Sequence, residues 1–144
     1  MIEIKNEINQ WMKKEFRTFN DIFISNVVSV DFYEKLTDEE ESKINNHFNT
    51  NIGLEKVSYT NDLKNFSYKF DYYKLYEIQN NIIRWFEKHD ISISVLPFLN
   101  SIIINSYKNI SDSIIKEFEK DFNMKFESYE ISCNLKRKSY KFVL

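Results

Sequence analysis

The chain has 144 residues, 42% of them hydrophobic and 17% aromatic, with a formal net charge of -2. That is enough apolar material for an ordinary domain with a packed core, and it excludes a disordered chain, which pairs low hydrophobicity with high net charge. The basic excess typical of a dedicated nucleic-acid binder is missing. One cysteine, Cys133, excludes an internal disulfide and a thiol-rich metal site.

No run approaches the roughly 18 apolar residues of a membrane-spanning helix. The polar, periodic N-terminus lacks the apolar stretch of a signal peptide. The expectation is a cytoplasmic protein without membrane contact. Gly, Pro and Arg are scarce while Asn, Ile and Lys abound, the codon signature of a low-GC bacterium or its phage.

In chain order, Ile4, Ile8, Trp11, Met12 and Phe16 recur at helical spacing and predict an amphipathic helix over 3–16. Two β-rich stretches, 19–24 and 27–33, flank a turn near Ser25-Asn26. Thr37-Asp38-Glu39-Glu40 is a capping box that starts a second helix, with Ile44 and Phe48 as its thin apolar face. Strands near 53–60 and 65–72 follow, joined at Asn61-Asp62. In the second, Phe66, Tyr68, Phe70 and Tyr72 alternate with Ser67, Lys69 and Asp71, the pattern of a half-buried antiparallel strand.

From residue 73 the order restarts. Leu75, Ile78, Ile82, Trp85, Phe86 and His89 form a helical stripe. Ile91 to Leu96 predicts a strand, Pro97-Phe98-Leu99-Asn100 a turn, and Ser101 to Tyr107 a strand. Ser111-Asp112 caps a fourth helix with the face Ile114, Ile115, Phe118 and Phe122. Met124 to Cys133 and Ser139 to Leu144 close the chain as a hairpin over Lys136-Arg137-Lys138.

The restart is a duplication. Ser67-Tyr68-Lys69-Phe70 recurs as Ser139-Tyr140-Lys141-Phe142, with Leu63-Lys64 recurring as Leu135-Lys136 at the same offset. At an offset of 74, Glu3, Ile4, Ile8 and Trp11 meet Glu77, Ile78, Ile82 and Trp85. Asn26 meets Asn100, Tyr33 meets Tyr107, Asp38 meets Asp112, and Phe48-Asn49 meets Phe122-Asn123. The matches keep their order and fall on equivalent elements. The expected fold is α+β: two repeats, 1–72 and 73–144, each helix-strand-strand-helix-strand-strand, with helices on one face of antiparallel sheets. With no Pro/Gly/Ser-rich linker, the repeats are expected to pack as one domain about a pseudo-twofold axis. In element order alone, the repeat is similar to duplicated small-molecule-binding domains of the GyrI-like type.

Chemistry-bearing motifs are sparse. His47 and His89 sit near helix ends, where a cation suits the dipole, and neither has the companions of a metal site. The single glycine, Gly53, excludes the phosphate-binding loop and the dinucleotide fingerprint. Cys133 has no sequence-local base to make it a nucleophile. The expectation is a protein that is not an enzyme and uses no metal or cofactor.

The copies differ in charge. Residues 1–72 hold nine Lys/Arg and thirteen Asp/Glu, a net of -4, while residues 73–144 hold eleven and nine, a net of +2. The second helix opens with Asp38, Glu39, Glu40 and Glu41, where its counterpart reads Asp112-Ser113-Ile114-Ile115. Those four acids are the candidate protein-binding residues. The leading expectation is a toxin-neutralising immunity protein or phage-encoded inhibitor, because an acidic surface steers toward a basic toxin or nuclease. A nucleic-acid surface on Lys136, Arg137, Lys138 and Tyr140 is the first alternative. A small-molecule pocket between the repeats, lined by Trp11, Trp85 and tyrosines, is the second. Monomer and homodimer both remain open, since an edge strand such as 138–143 can pair across a twofold axis.

Overall fold

A computed structural model describes residues 2–132 and 136–144. Cys133, placed in the closing hairpin, and Leu135, one of the repeat matches, lie outside the described residues. The order is α1 (Ile2–Glu15), β1 (Phe19–Ile24), β2 (Val28–Phe32), α2 (Asp38–Phe48), β3 (Gly53–Thr60) and β4 (Leu63–Phe70). It then repeats as α3 (Tyr73–Glu87), β5 (Ile93–Phe98), β6 (Ser101–Ser106), α4 (Asp112–Phe122), β7 (Lys125–Ser132) and β8 (Arg137–Val143). Two compact units result, Met1–Leu75 and Tyr76–Leu144, divided inside the first turn of α3 rather than at residue 72.

Each unit is α+β, with two helices and one four-stranded antiparallel sheet among the described residues. The strand orders correspond: β1-β2-β4-β3 in the first unit and β5-β6-β8-β7 in the second. Alternation in the strands produces one apolar sheet face, and the helical stripes cover it. In the first unit Ile4, Ile8, Met12, Ile44 and Phe48 from the helices are buried together with Ile22, Ile24, Val28, Val30, Phe32, Tyr68 and Phe70 from the strands. In the second, Ile82, Phe86, Ile102, Ile104, Phe118, Tyr140 and Phe142 belong to one core cluster. Phe48 stacks on Phe70 at 5.1 Å, and Phe118, at the position of Ile44, meets Phe142 edge-on at 4.6 Å.

The recurring Ser-Tyr-Lys-Phe now has a physical meaning. Tyr68 Oη accepts the backbone N–H of Leu36 at 2.9 Å, and Tyr140 Oη accepts that of Ile110 at 2.9 Å. Both bonds are buried, and each ties the inner strand to the loop just before a helix cap. The lysines pair across the hairpin, Lys69 with Glu55 and Lys141 with Glu127 at 2.6 Å. The phenylalanines enter the core. A second device also repeats: Asn45 Oδ1 accepts from Ile52 N at 2.6 Å and Glu119 Oε1 from Phe126 N at 2.8 Å, joining the last turn of a helix to the strand that follows.

Four expectations are corrected. The strand at 138–143 is not an edge, since β8 lies between β6 and β7 and pairs with both. Pro97 lies inside β5, opposite Ile102, and not in a turn. β5 is the sheet edge, so the missing N–H falls on the side that pairs with nothing in the sheet. β4 begins at Leu63 and ends at Phe70, because the two-residue turn Asn61-Asp62 lets pairing start at once, Thr60 with Leu63. Both turn residues have positive φ, 48° and 64°, as such a hairpin turn requires. β8 begins at Arg137, so the basic triplet is mostly strand.

The duplication extends to the strand register. With the offset of 74 on β3 and of 72 on β4, Lys56 paired with Ser67 corresponds to Glu130 paired with Ser139, and Val57 with Phe66 to Ile131 with Lys138. The two-residue change of offset therefore falls between Ser58 and Leu63, around the hairpin turn, and every side chain keeps its face.

Two predictions follow from the tyrosine bonds. Tyr68→Phe and Tyr140→Phe each leave a buried N–H unsatisfied and are expected to cost about 1–3 kcal/mol in urea denaturation. Burial raises both hydroxyls above the ordinary phenol range. The folded state therefore holds these protons more tightly than the unfolded chain. The stabilisation is complete below about pH 10, the unfolded value, and is lost as pH rises through the folded values. An alkaline unfolding transition that moves in the two Phe variants is the expected measurement.

Candidate functional site

The acidic stretch is largely spent on folding. Thr37 Oγ1 accepts from Glu40 N at 3.2 Å, and Glu40 Oε1 accepts from Thr37 N at 3.0 Å, completing the capping box. Asp38 and Glu39 are exposed in the first turn, while Glu40 and Glu41 are half-buried. The structure thus brings the four acids together at a helix start, where they complement the dipole, and leaves Asp38 and Glu39 freest to meet a partner. In α4 the cap is Ser111 alone, at 3.4 Å from Ile114 N. Ile114 stands at the box position and is partly buried against the core.

The basic residues near the C-terminus are dispersed. Lys136 is exposed with φ 48°, and Lys138 donates to Asn109. Arg137 lies on β8, half-buried, and its Nε is buried without a hydrogen-bond partner among the described residues. Tyr140 is buried, its ring packed against Tyr129 at 5.0 Å and its hydroxyl held by Ile110. Such a ring offers no face on which a base could stack.

The tryptophans and histidines are engaged within their own units. Trp11 stacks on His47 at 4.2 Å and meets Phe16 and Phe48 edge-on. Trp85 packs on His89 at 4.3 Å and on Phe86 and Phe118, and its Nε1 donates to Asp121 at 2.8 Å. At the end of β4, Glu7 of α1 accepts from Tyr72 Oη at 3.0 Å and Lys74 Nζ at 2.7 Å. Lys74, above all, holds the Glu7 carboxyl below its usual range and is itself raised. Among the described residues no three His, Cys, Asp or Glu side chains converge as for a metal ion. No helix among them is long and apolar enough to cross a membrane.

What the sequence reading missed is the surface of the first hairpin. β3 is an edge strand, and every residue in it except Ser58 is exposed. Leu54, Val57, Tyr59 and Leu63 stand in solvent, Tyr59 at 70%. For Tyr59 and Leu63 the cause is the register. β2 pairs with β4 only from Phe66 to Phe70. Residues 58–65, which pair β3 with β4 from Ser58–Asn65 to Thr60–Leu63, therefore project past β2. In the second unit β6 pairs with β8 up to Lys138, the position of Phe66, and among the described residues the Ser132–Arg137 pair extends beyond it. The signal available in the sequence was the tight Asn61-Asp62 turn, which sets how far the hairpin reaches.

No protein-family model, curated protein or solved structure matches the chain.

The division of labour among the acids is measurable. Thr37→Ala is expected to lose about 1 kcal/mol of stability through the cap. Glu39→Gln is expected to change stability by less than about 0.5 kcal/mol, as for an ordinary surface site. Urea denaturation of the two variants beside the native chain separates structural from available acids.

Proposed function

We propose that this chain is a non-enzymatic protein-binding module of the inhibitory kind, as toxin-neutralising immunity proteins and phage-encoded inhibitors are. The observation that carries the reading is the projecting β3–β4 hairpin, with Leu54, Val57, Tyr59 and Leu63 exposed on and beside a sheet edge. An isolated apolar residue on a surface needs no account, whereas several on one projecting edge strand suit an interface. Tyrosine is a favoured anchor in such contacts. The open edge can also accept an extended segment through main-chain hydrogen bonds.

Charge supports the same reading. The repeat that carries the hairpin has a net of -4, and Asp38 and Glu39 are exposed on its second helix. A basic partner, such as a nuclease toxin, would approach this repeat with an electrostatic gain in on-rate. The nucleic-acid alternative has less behind it, since Tyr140 is buried and Lys138 is bonded to Asn109.

The test is co-purification from the native host with three forms of the protein. The native chain is expected to retain a protein partner. The pair Tyr59→Ala and Leu63→Ala is expected to weaken retention at least tenfold, and Glu39→Lys to make it slower to form and less salt-sensitive. Retention unchanged in the hairpin pair, with folding intact by circular dichroism, ends the reading.

A further inference from the structure

The sheet face turned away from the helices carries a second divergence between the copies. In the second unit Ser94 of β5 pairs with Asn105 of β6, which pairs with Ser139 of β8. The three side chains form a polar row across the sheet. Arg137, two residues before Ser139, and Tyr107, two after Asn105, stand on the same face. With Ser92 and Ile93 they line a hollow of about 340 Å³, within the range of about 300–1,000 Å³ usual for small-ligand sites.

The first unit has the same hollow with different chemistry. Its described lining is Asn20, Asp21, Asp31, Tyr33, Thr60, Asn61, Leu63 and Asn65, around about 280 Å³. The pairing register equates Asp21 with Ser94 and Asp31 with Asn105, and the offset of 72 equates Asn65 with Arg137. There the polar groups satisfy one another: Tyr33 Oη donates to Asn20 Oδ1 at 2.7 Å, and Asn20 Nδ2 donates to Asn65 Oδ1 at 3.0 Å. Two carboxylates and no cation line that hollow. In its counterpart both carboxylates are gone and an arginine has entered.

The arginine is not accounted for by the fold. Its Nε is buried and unpartnered, and no ion pair reaches it among the described residues. No carboxylate lines the hollow. Asn105 is only 6% exposed and fixed, its Oδ1 accepting from Ser139 Oγ at 2.6 Å. Tyr107 stands at the rim, 71% exposed. A planar guanidinium whose Nε has no partner among the described residues, beside hydroxyls and an amide, is the chemistry that recognises the two-oxygen edge of a carboxylate or phosphate.

We propose that the hollow formed by Ser92, Ser94, Asn105, Tyr107 and Arg137 is an oxyanion-binding site, taking a carboxylate or phosphate group against the guanidinium of Arg137. The site belongs to the second unit alone and does not rest on the hairpin reading. Loss of the two acids and gain of the arginine give it a preference for anions that its counterpart lacks.

The full chain has three arginines, Arg17, Arg84 and Arg137, and hence three side-chain Nε–H signals in a nitrogen-15 correlation spectrum. Sodium phosphate and sodium acetate are titrated separately at constant ionic strength, balanced with chloride. The Arg137 signal is expected to move and saturate while the other two stay fixed. Saturation by phosphate alone assigns a phosphate ligand, and saturation by acetate assigns a carboxylate. Asn105→Asp, which restores the acid of the first unit, is expected to weaken saturation at least tenfold while keeping the acceptor for Ser139. A linear drift shared by all three arginines means ionic screening only and overturns the proposal. So does saturation unchanged in a folded Asn105→Asp variant. If that variant does not fold, the native titration decides alone.

Discussion

In both units a buried tyrosine hydroxyl accepts a backbone N–H from the loop that leads into a helix, Leu36 to Tyr68 and Ile110 to Tyr140. The loop must turn inward so that Leu36 and Ile110 bury their side chains. Turning inward removes the N–H from water, and only a partner inside the core can satisfy it. The inner strand supplies that partner from its middle. The helix cap, the helix position and the pairing of the inner strand are thereby linked through one atom. The surrounding aromatics fill the space around this bond, with Tyr68 edge-on to Phe32 at 5.7 Å in the first unit.

A backbone almost without glycine imposes the second constraint. Left-handed conformations must occur at helix ends and tight turns, and here they fall to other residues. Asn49 and Asn123 end α2 and α4 at φ 50° and 51°, while Asn61, Asp62, Asp90 and Lys136 take the other positive values among the described residues. Asn and Asp tolerate this region better than other side chains because they hydrogen-bond locally. The lone glycine, Gly53, has no positive φ and starts a strand. The abundance of Asn in this chain is thus partly structural, and the Phe-Asn pairs that mark the repeat are helix ends.

Against this shared frame, the copies have been altered where the frame is indifferent. The capping box of α2 stands opposite a simple serine cap in α4, where the box position holds the apolar Ile114. The first hairpin carries Tyr59 and Leu63 in solvent beyond the end of β2. On the outer sheet face, Asp21, Asp31 and Asn65 of the first unit stand where the second has Ser94, Asn105 and Arg137. None of these positions takes part in the Tyr68 or Tyr140 hydrogen bond. The two surfaces that differ most, a projecting apolar edge in one unit and an arginine-lined hollow in the other, are therefore free to serve separate contacts.

Much of the architecture was legible in the letters. Periods of 3.6 and 2, the Thr37 box, the Asn61-Asp62 turn and the repeated Ser-Tyr-Lys-Phe are local patterns with local causes, and they placed the elements and the α+β repeat. Pro97 misled because a proline reads as a turn until the edge of the sheet is known. Arg137 and Lys138 read as a solvated turn because the start of β8 depends on which residues of β6 and β7 it faces. The Thr37 box was read from the letters and is present, Glu40 closing on Thr37, while the unequal exposure of the four acids at 38–41 was not. Strand register, the reach of a hairpin and the isolation of a guanidinium depend on residues distant in sequence. The chain alone determined which segments are helix and strand and that the unit is doubled. The tertiary structure alone decided which polar groups satisfy one another and which, like Arg137 Nε, have no partner among the described residues, because that depends on pairings no local pattern encodes.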